Sequence, residues 1–286
     1  MLSPLHHSAP LRFALHTVLA GGRLLVPGPF DAGLVTAVIA AERPTTMFCV
    51  PTHLYRLFRH WAEVGVPDLS SFRLVAHAGA PCPEPVKRRL QELFPPGTTW
   101  EFYGATEGQF TACRSEDWAT RPGTVGRARP GRRLRTDPDG TLWCRVPPYA
   151  RFGYLGDPAR TAAAWRQGPD GPEFTVGDHG RLDADGWLWL HGRGSDLVIS
   201  GGVKVYPLEV EETLRGCPGV DDIAVYGVPD EEWGQRVCAA VVGTVSTEEL
   251  GEYARQRLTR EATSGVPPPR VPPHTATGKV RRQDLP

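Results

Sequence analysis

Short apolar runs and longer amphipathic stripes alternate along the N-terminal part of the chain. Arg23 to Val26 is predicted as a short strand, and Asp31 caps a predicted helix whose Leu34, Val35, Val38 and Ile39 share one face. Thr45 to Val50 follows as an apolar strand. Thr52 then begins a helix that buries Leu54, Leu57, Phe58 and Trp61, spaced to return to one side of the helix. Phe72 to Ala76, Pro83 to Phe94 and Thr98 to Phe102 repeat strand, helix and strand. Such units predict a mostly parallel sheet with helices on its faces. Ligands on such sheets bind outside the carboxyl ends of the strands. Two loops of small residues fall at those ends, Ala78-Gly79-Ala80-Pro81 and Tyr103 to Gly108.

From about Pro122 to His191 the helical periodicity fades. Leu134 to Val146 reads as a hairpin around Asp137-Pro138-Asp139-Gly140, and Leu182 to Leu190 as a second around Asp183-Ala184-Asp185-Gly186. Both D-x-D-G stretches lack the distal glutamate and loop length of a calcium-binding EF-hand, so they are predicted to be turns. A third texture begins after Arg193. Leu197 to Val205 is a glycine-bent hairpin, and Pro207 to Leu214 a helix with Pro at its start and Gly216 after it. Val220 to Val228 and Val237 to Val245 are strands, and Ser246 to Leu258 is a helix opened by a Ser246/Glu249 capping box. The Pro-rich segment Val266 to Pro273 leads into the final loop. The fold class is α/β: a parallel-sheet subdomain over 1–115, a β-rich subdomain over 116–193 and a small α+β C-terminal domain over 194–286.

The length of 286 residues agrees with two domains and ample core. A formal net charge of +0 removes any electrostatic case for nucleic acid or an anionic membrane surface. The densest basic stretch, Arg127 to Arg135, sits among Gly and Pro and is expected to be a solvated loop. Six cysteines, at 49, 82, 113, 144, 217 and 238, form no C-x-x-C pair and no zinc spacing, which suits a reduced, cytoplasmic protein. No basic segment leads into an apolar run at the N-terminus, and no uncharged stretch approaches the ~20 residues of a spanning helix.

Lysine is rare: only Lys87, Lys204 and Lys279 occur among 32 basic residues, and two of them close glycine-rich stretches. These are Ser200-Gly201-Gly202-Val203-Lys204 and Thr275-Ala276-Thr277-Gly278-Lys279. A compact ammonium on a flexible stem suits a mobile point charge that must reach a phosphate or carboxylate. Tyr103-Gly104-Ala105-Thr106-Glu107 lies upstream, followed by Val176-Gly177-Asp178 and Gly192-Arg193-Gly194-Ser195-Asp196. Tyr103 supplies an aromatic face for a purine, and the glycines let backbone approach a nucleotide. Thr106 offers a hydroxyl donor, Glu107 a carboxylate for a hard cation such as Mg²⁺, and Asp178 an acceptor for two ribose hydroxyls. Singly, each motif is more often a turn or a cap; their order and number single them out.

That ordered series resembles the adenylate-forming ligases, closest to the acyl- and aryl-CoA synthetase branch, and the resemblance runs from Pro4-Leu5-His6-His7-Ser8 to the end. It implies ATP-dependent activation of a carboxylic acid to an acyl-adenylate and transfer to CoA, with Mg²⁺. It implies that His7 lines the acyl pocket near the reacting carboxylate. Gly79, Ala80 and Pro81 would flank the adenine and Tyr103 stack on it, beside Gly104 and Ala105. Thr106 would contact the phosphate, Glu107 bind the metal, and Asp178 with Arg193 hold the ribose. Lys279 would bridge carboxylate and phosphate from a mobile C-terminal domain. That domain would rotate about the Gly194-Ser195 hinge, and Gly201, Gly202 and Lys204 would then line the channel for the pantetheine thiol.

The departures qualify the resemblance. The family's phosphate loop should lie before Pro4, so the chain is expected to correspond to the C-terminal part of such an enzyme. Ser195 stands where Asp or Lys is usual, Val176 replaces a threonine, and the stretch from Leu258 to Thr275 is short and proline-rich. Two alternatives stay open: an enzyme that loads a carrier-protein thiol, and a catalytically dead remnant or binding subunit that needs a partner chain. The identity of the acid and the oligomeric state are not legible.

Overall fold

The computed structural model describes residues 1–259 and 261–263. In chain order the elements begin with α1 (Ser8–Leu19), α2 (Ala32–Glu42), β1 (Thr46–Cys49), α3 (Pro51–Val64), β2 (Leu74–His77) and α4 (Glu84–Leu93). There follow β3 (Thr99–Gly104), β4 (Gln109–Arg114), α5 (Ser115–Thr120), β5 (Thr124–Ala128), β6 (Arg133–Thr136) and β7 (Leu142–Arg145). Next come α6 (Pro158–Ala164), β8 (Trp165–Gly168), β9 (Gly171–Phe174), β10 (Asp178–Leu182) and β11 (Trp187–Arg193). The last are β12 (Val198–Ser200), β13 (Val203–Val205), α7 (Pro207–Leu214), β14 (Val220–Asp230), β15 (Gly234–Gly243) and α8 (Thr247–Arg255).

The chain divides into two compact units. The first takes Met1–Asp137, Leu142–Val176 and Leu182–Trp189; the second takes Pro138–Thr141, Gly177–Arg181 and the chain from Leu190 on. In the first unit β1, β2 and β3 are parallel, with α3 and α4 as their crossovers. The predicted parallel sheet stops there. A tight turn joins β3 to β4, and a tight turn can link only antiparallel neighbours, so β4, β5 and residues Trp187–Trp189 of β11 continue the sheet antiparallel. The predicted helix at Thr52 is α3, with Leu54 and Leu57 fully buried and Trp61 nearly so. Each such side chain contributes about 1.5–3 kcal/mol when buried. Asp31 caps α2 by accepting the Leu34 N–H at 2.7 Å, although Leu34 itself is exposed and only Val35 and Ile39 of that face are buried.

One expectation fails here, and one element is new. Arg23 to Val26 is irregular, not a strand: Arg23 and Val26 are exposed, and the Leu25 carbonyl accepts from the Met1 amine at 2.7 Å rather than from a neighbouring strand. Helix α1 has no counterpart in the sequence pattern because its apolar residues do not form a buried stripe; Leu11, Leu15, Val18 and Leu19 are exposed, and Pro10 and Ala14 are its buried residues.

The basic stretch from Arg127 to Arg135 is also more than a solvated loop. It closes β5 and opens β6, and its arginines have distinct surroundings. Arg133 pairs with Asp170 at 2.9 Å. Arg135 donates to Glu173, which also accepts from Arg166 Nε at 2.7 Å. Arg166 holds both oxygens of Asp137 at 2.7 and 2.8 Å and lies 3.5 Å over the Trp143 ring. This network knits the antiparallel sheet β6-β7-β9-β8. Behind β3, Lys87 of α4 is buried against Glu101, its ammonium 4.8 Å from the Trp118 ring centre.

The second unit carries the sheet β13-β12-β15-β14, dominated by the long hairpin of β14 and β15. Ile223, Val225, Val237 and Ala239 pack against Val210 and Leu214 of α7 and Leu250 of α8. The expected capping box is present: Glu249 N–H donates to Ser246 Oγ at 3.2 Å, and Ser246 N–H to Glu249 Oε2 at 2.9 Å. Cys49, Cys82, Cys113, Cys144, Cys217 and Cys238 are all free thiols, and all but Cys82 are buried. Among the described residues no helix is long and apolar enough to cross a membrane.

Candidate functional site

Strand β3 delivers Tyr103 and Gly104 to a tight turn. Ala105 N–H donates to Gly108 O at 2.7 Å and Gly108 N–H back to Ala105 O at 3.3 Å. Gly104 has no substitute here, because a Cβ would come within 2.6 Å of the Gly108 carbonyl. The register slips between Tyr103, opposite Thr111, and Gly104, opposite Gln109, which pushes Ala105 to Gly108 out of the ladder. Thr106 is exposed and Glu107 half-buried. The Tyr103 ring packs on Phe110, centroids 5.1 Å apart, so one part of it belongs to the core.

Two contacts fix this turn, and neither was legible in the sequence. Tyr154 Oη donates to Glu107 Oε1 at 2.8 Å across 47 positions of chain. Burial raises the Tyr154 pKa, and the carboxylate it faces raises it further, so the phenol stays protonated as a donor. The Arg160 guanidinium lies 4.0 Å over its ring. On the other side, Arg12 Nη2 of α1 donates to the Thr106 carbonyl at 3.0 Å.

The loop Gly79-Ala80-Pro81 leaves the end of β2, the parallel neighbour of β3 with His77 opposite Glu101, so both loops emerge at the same edge of the sheet. Gly79 has φ of +93°, a left-handed conformation that excludes most side chains. His7 occupies the N-cap position of α1 without capping it through its side chain. Burial lowers the His7 pKa and the neighbouring His6, 4.3 Å away ring to ring, lowers it further.

Asp178 and Arg193 belong to the second unit and are in contact: Arg193 Nε donates to Asp178 Oδ1 at 3.2 Å, and Asp178 is buried. Gly194 N–H donates to the Gly177 carbonyl at 2.8 Å, and a Cβ on Gly194 would meet His179 Nε2 at 2.8 Å. Ser195 is exposed, and its hydroxyl donates to the neighbouring Asp196 Oδ1 at 3.1 Å. Gly201 and Gly202 form the β12–β13 turn with φ of +57° and +80°, and Lys204 is exposed opposite Ile199. The expected nucleotide residues are thus divided, with Gly79 to Pro81 and Tyr103 to Glu107 in the first unit and Asp178 and Arg193 in the second. Lys279 and the Pro-rich segment lie outside the described residues.

Among the described residues no group of His, Cys, Asp and Glu gathers enough ligands for a metal by itself. The D-x-D-G stretches are turns that bond to themselves: Asp139 accepts from Thr141 N–H at 3.0 Å, and Asp183 from Asp185 and Trp187 N–H at 3.0 and 2.8 Å. Glu107 presents one carboxylate with one oxygen held by Tyr154. That fits Mg²⁺, which takes one or two protein carboxylates and fills its shell with phosphate oxygens and water.

Residues 1–144 match the AMP-binding enzyme family, and residues 209–279 match the AMP-binding enzyme C-terminal domain. An indoleacetate–CoA ligase of Aromatoleum aromaticum is 32% identical over 306 residues, covering 99% of this chain and 57% of the relative. The solved structure of the amide bond synthetase McbA from Marinactinospora thermotolerans is 31% identical with a TM-score of 0.87, over 99% of this chain and 59% of that one. The o-succinylbenzoate CoA synthetase MenE of Bacillus subtilis, solved with ATP and magnesium ion, is 26% identical with a TM-score of 0.85, over 100% of this chain and 60% of that one. The chain therefore spans roughly three fifths of the length of the proteins it resembles.

Proposed function

Because the chain belongs to the AMP-binding enzyme family, we propose that it takes part in joining a carboxylic acid to ATP as an acyl-adenylate, with release of pyrophosphate, and in passing the acyl group to the thiol of CoA. The observation that carries this reading is the turn after β3, where Tyr154 fixes the Glu107 carboxylate beside the exposed Thr106. In this reading Glu107 holds Mg²⁺, which supplies charge neutralisation for the phosphates. Thr106 donates to the α-phosphate, and Tyr103 with Gly79, Ala80 and Pro81 encloses the adenine. Asp178 takes the ribose hydroxyls, oriented by Arg193. His7 stands at the acid, and its depressed pKa keeps it neutral near pH 7, able to donate one hydrogen bond without carrying charge. Positioning of this kind acts on negative charge as it gathers between acid and phosphate.

Residues 194–286, which make up only part of the second unit, are proposed as the small domain that follows a hinge at Gly194-Ser195. It would carry Lys279 to the adenylation step and bring Gly201, Gly202 and Lys204 to the thiol step. A second acceptor has a specific basis: the similar McbA is an amide bond synthetase, so an amine competes with a CoA or carrier-protein thiol as the group acylated. Supplying the acyl-adenylate with each acceptor in turn separates these readings.

The adenylation reading is tested at Glu107. Glu107→Gln is expected to weaken Mg²⁺–nucleotide binding by calorimetry and Mg²⁺-dependent adenylate formation by about 10²–10³. Tyr154→Phe, which removes only the hydroxyl, is expected to raise the Mg²⁺ requirement about ten- to a hundredfold, the weight of one hydrogen bond to a charged group. Unchanged metal dependence in Glu107→Gln sinks the assignment.

A further inference from the structure

The proposed reaction leaves one group of charges unexplained. Arg12 on α1 and Arg129 and Arg132 in the turn after β5 lie close enough that the charges of Arg132 and Arg12 add to burial in lowering the Arg129 pKa. Backbone bonds hold the turn: Arg129 N–H donates to Phe110 O and Arg132 N–H to Arg129 O, both at 3.0 Å. Among the described residues, no carboxylate forms an ion pair with Arg12, Arg129 or Arg132, although the adjacent Arg133 and Arg135 each hold one. Arg132 Nε is buried without a hydrogen-bond partner. A guanidinium presents its donors as a fork that matches a carboxylate in two places at once. Arg12 Nη2 donates to the Thr106 carbonyl at 3.0 Å and Arg132 Nη1 to the Pro130 carbonyl at 3.4 Å, but among the described residues these three forks meet no anion.

The surroundings say what kind of anion suits them. Arg129 Cζ lies 5.6 Å from the centre of the Phe102 ring. Phe13, next to Arg12 on α1, packs its ring 4.8 Å from Phe48 and 5.9 Å from Phe102. An aromatic wall thus runs directly into a cationic end. Arg12 also reaches Thr106, and α1 begins at His7, so the cluster adjoins the residues assigned above to the acid and its phosphate. We propose that Arg12, Arg129 and Arg132 receive a second, distal carboxylate on the acid being activated, so that the preferred substrate is a dicarboxylic acid with an apolar spacer. The proposal rests on the adenylation reading, because that reading makes this corner the acid pocket.

A matched pair of inert adenylate mimics tests it: the acylsulfamoyl adenosines of adipic and hexanoic acid, titrated calorimetrically into the protein. The adipoyl compound is expected to bind about tenfold or more tightly, the effect of one charge-assisted pair. The preference should shrink as salt is raised. Arg129→Met is expected to bring the ratio close to one, and Arg129→Lys to retain part of it. Arg12→Met, on an accessible helix position, should lower the ratio as well and serves if Arg129→Met does not fold. Equal affinities, or a preference that survives in both methionine variants, overturn the proposal while leaving the adenylation reading intact. So does a ratio that stays fixed while Arg129→Met loses affinity for ATP or pyrophosphate, which would assign the cluster to the phosphates. If neither mimic binds, the adenylation reading fails and this inference falls with it.

Discussion

Two groups of arginines, which come within three residues of each other in the chain at Arg132 and Arg135, are treated in opposite ways. Around the antiparallel sheet β6-β7-β9-β8, Arg135 and Arg166 share Glu173, and Arg166 also clasps Asp137 at both oxygens. Glu173 is itself buried, at 5% exposure. Just upstream, Arg129 and Arg132 join Arg12 with no carboxylate among them. The first group completes its own charge balance and stabilises the sheet. The second leaves the balance open, which costs stability in the free protein and reserves its donors for something else. Sites built for binding are commonly held at such a cost.

The comparison can be broken most forcefully at Glu173. Glu173→Leu removes the buried shared acceptor and leaves Arg135 and Arg166 with Asp137 as their one common carboxylate among the described residues. A loss of about 2–4 kcal/mol in urea unfolding is expected, toward the range for breaking a buried pair. A loss under about 0.5 kcal/mol would mean that these are ordinary surface contacts.

Acid sharpens the contrast with a smaller effect. The hydrogen bonds from Arg166 hold the Asp137 carboxyl below the usual carboxylate range. A depressed folded-state value means that Asp137 contributes stability above the unfolded pKa of about 4 and loses it as pH falls through the folded value. Melting curves taken from about pH 5 down to about pH 3 should therefore decline less steeply in Asp137→Asn than in the parent. An identical decline would place the acid sensitivity elsewhere. The cluster of Arg12, Arg129 and Arg132 has no carboxylate of its own to titrate, so Arg129→Met should leave that slope as it is.

The smallest expected change has the opposite sign. Arg129→Met in the ligand-free protein relieves both burial of a charge and repulsion from Arg132 and Arg12, and is expected to add about 0.5–1 kcal/mol of stability. A variant that is less stable than the parent would show that Arg129 serves packing on Phe102 and not a ligand.

What the chain discloses of all this follows the range of the interactions. The Asp31 cap, the α3 stripe and the Ser246/Glu249 box are local signals, and each appears in the structure where its residues predict it. The turn from Tyr103 to Gly108 was readable as a loop at a strand end. That it reverses the sheet depends on β4 pairing with β3, and Gln109 to Arg114 carries no strong strand pattern. Tyr154 meets Glu107 across 47 residues, beyond anything periodicity can report. The arginine-rich stretch shows the limit most clearly. Spacing alone presents Arg129, Arg133 and Arg135 as equivalent, and only the fold gives Asp170 to one, Glu173 to another and an aromatic ring to the third.

The six free thiols have a practical consequence. Burial pushes Cys113 and Cys144 up to about 12 and raises Cys49, Cys82, Cys217 and Cys238 as well. A thiol must ionise to attack an alkylating reagent, so the native protein should label slowly even where solvent grazes the sulfur. Each modification then records a moment when that part of the chain had opened. Cys49, Cys82, Cys113 and Cys144 keep time for the first unit, and Cys217 and Cys238 for the second. Read by mass spectrometry, the natural cysteines form a pair of built-in clocks for the separate breathing of the two units.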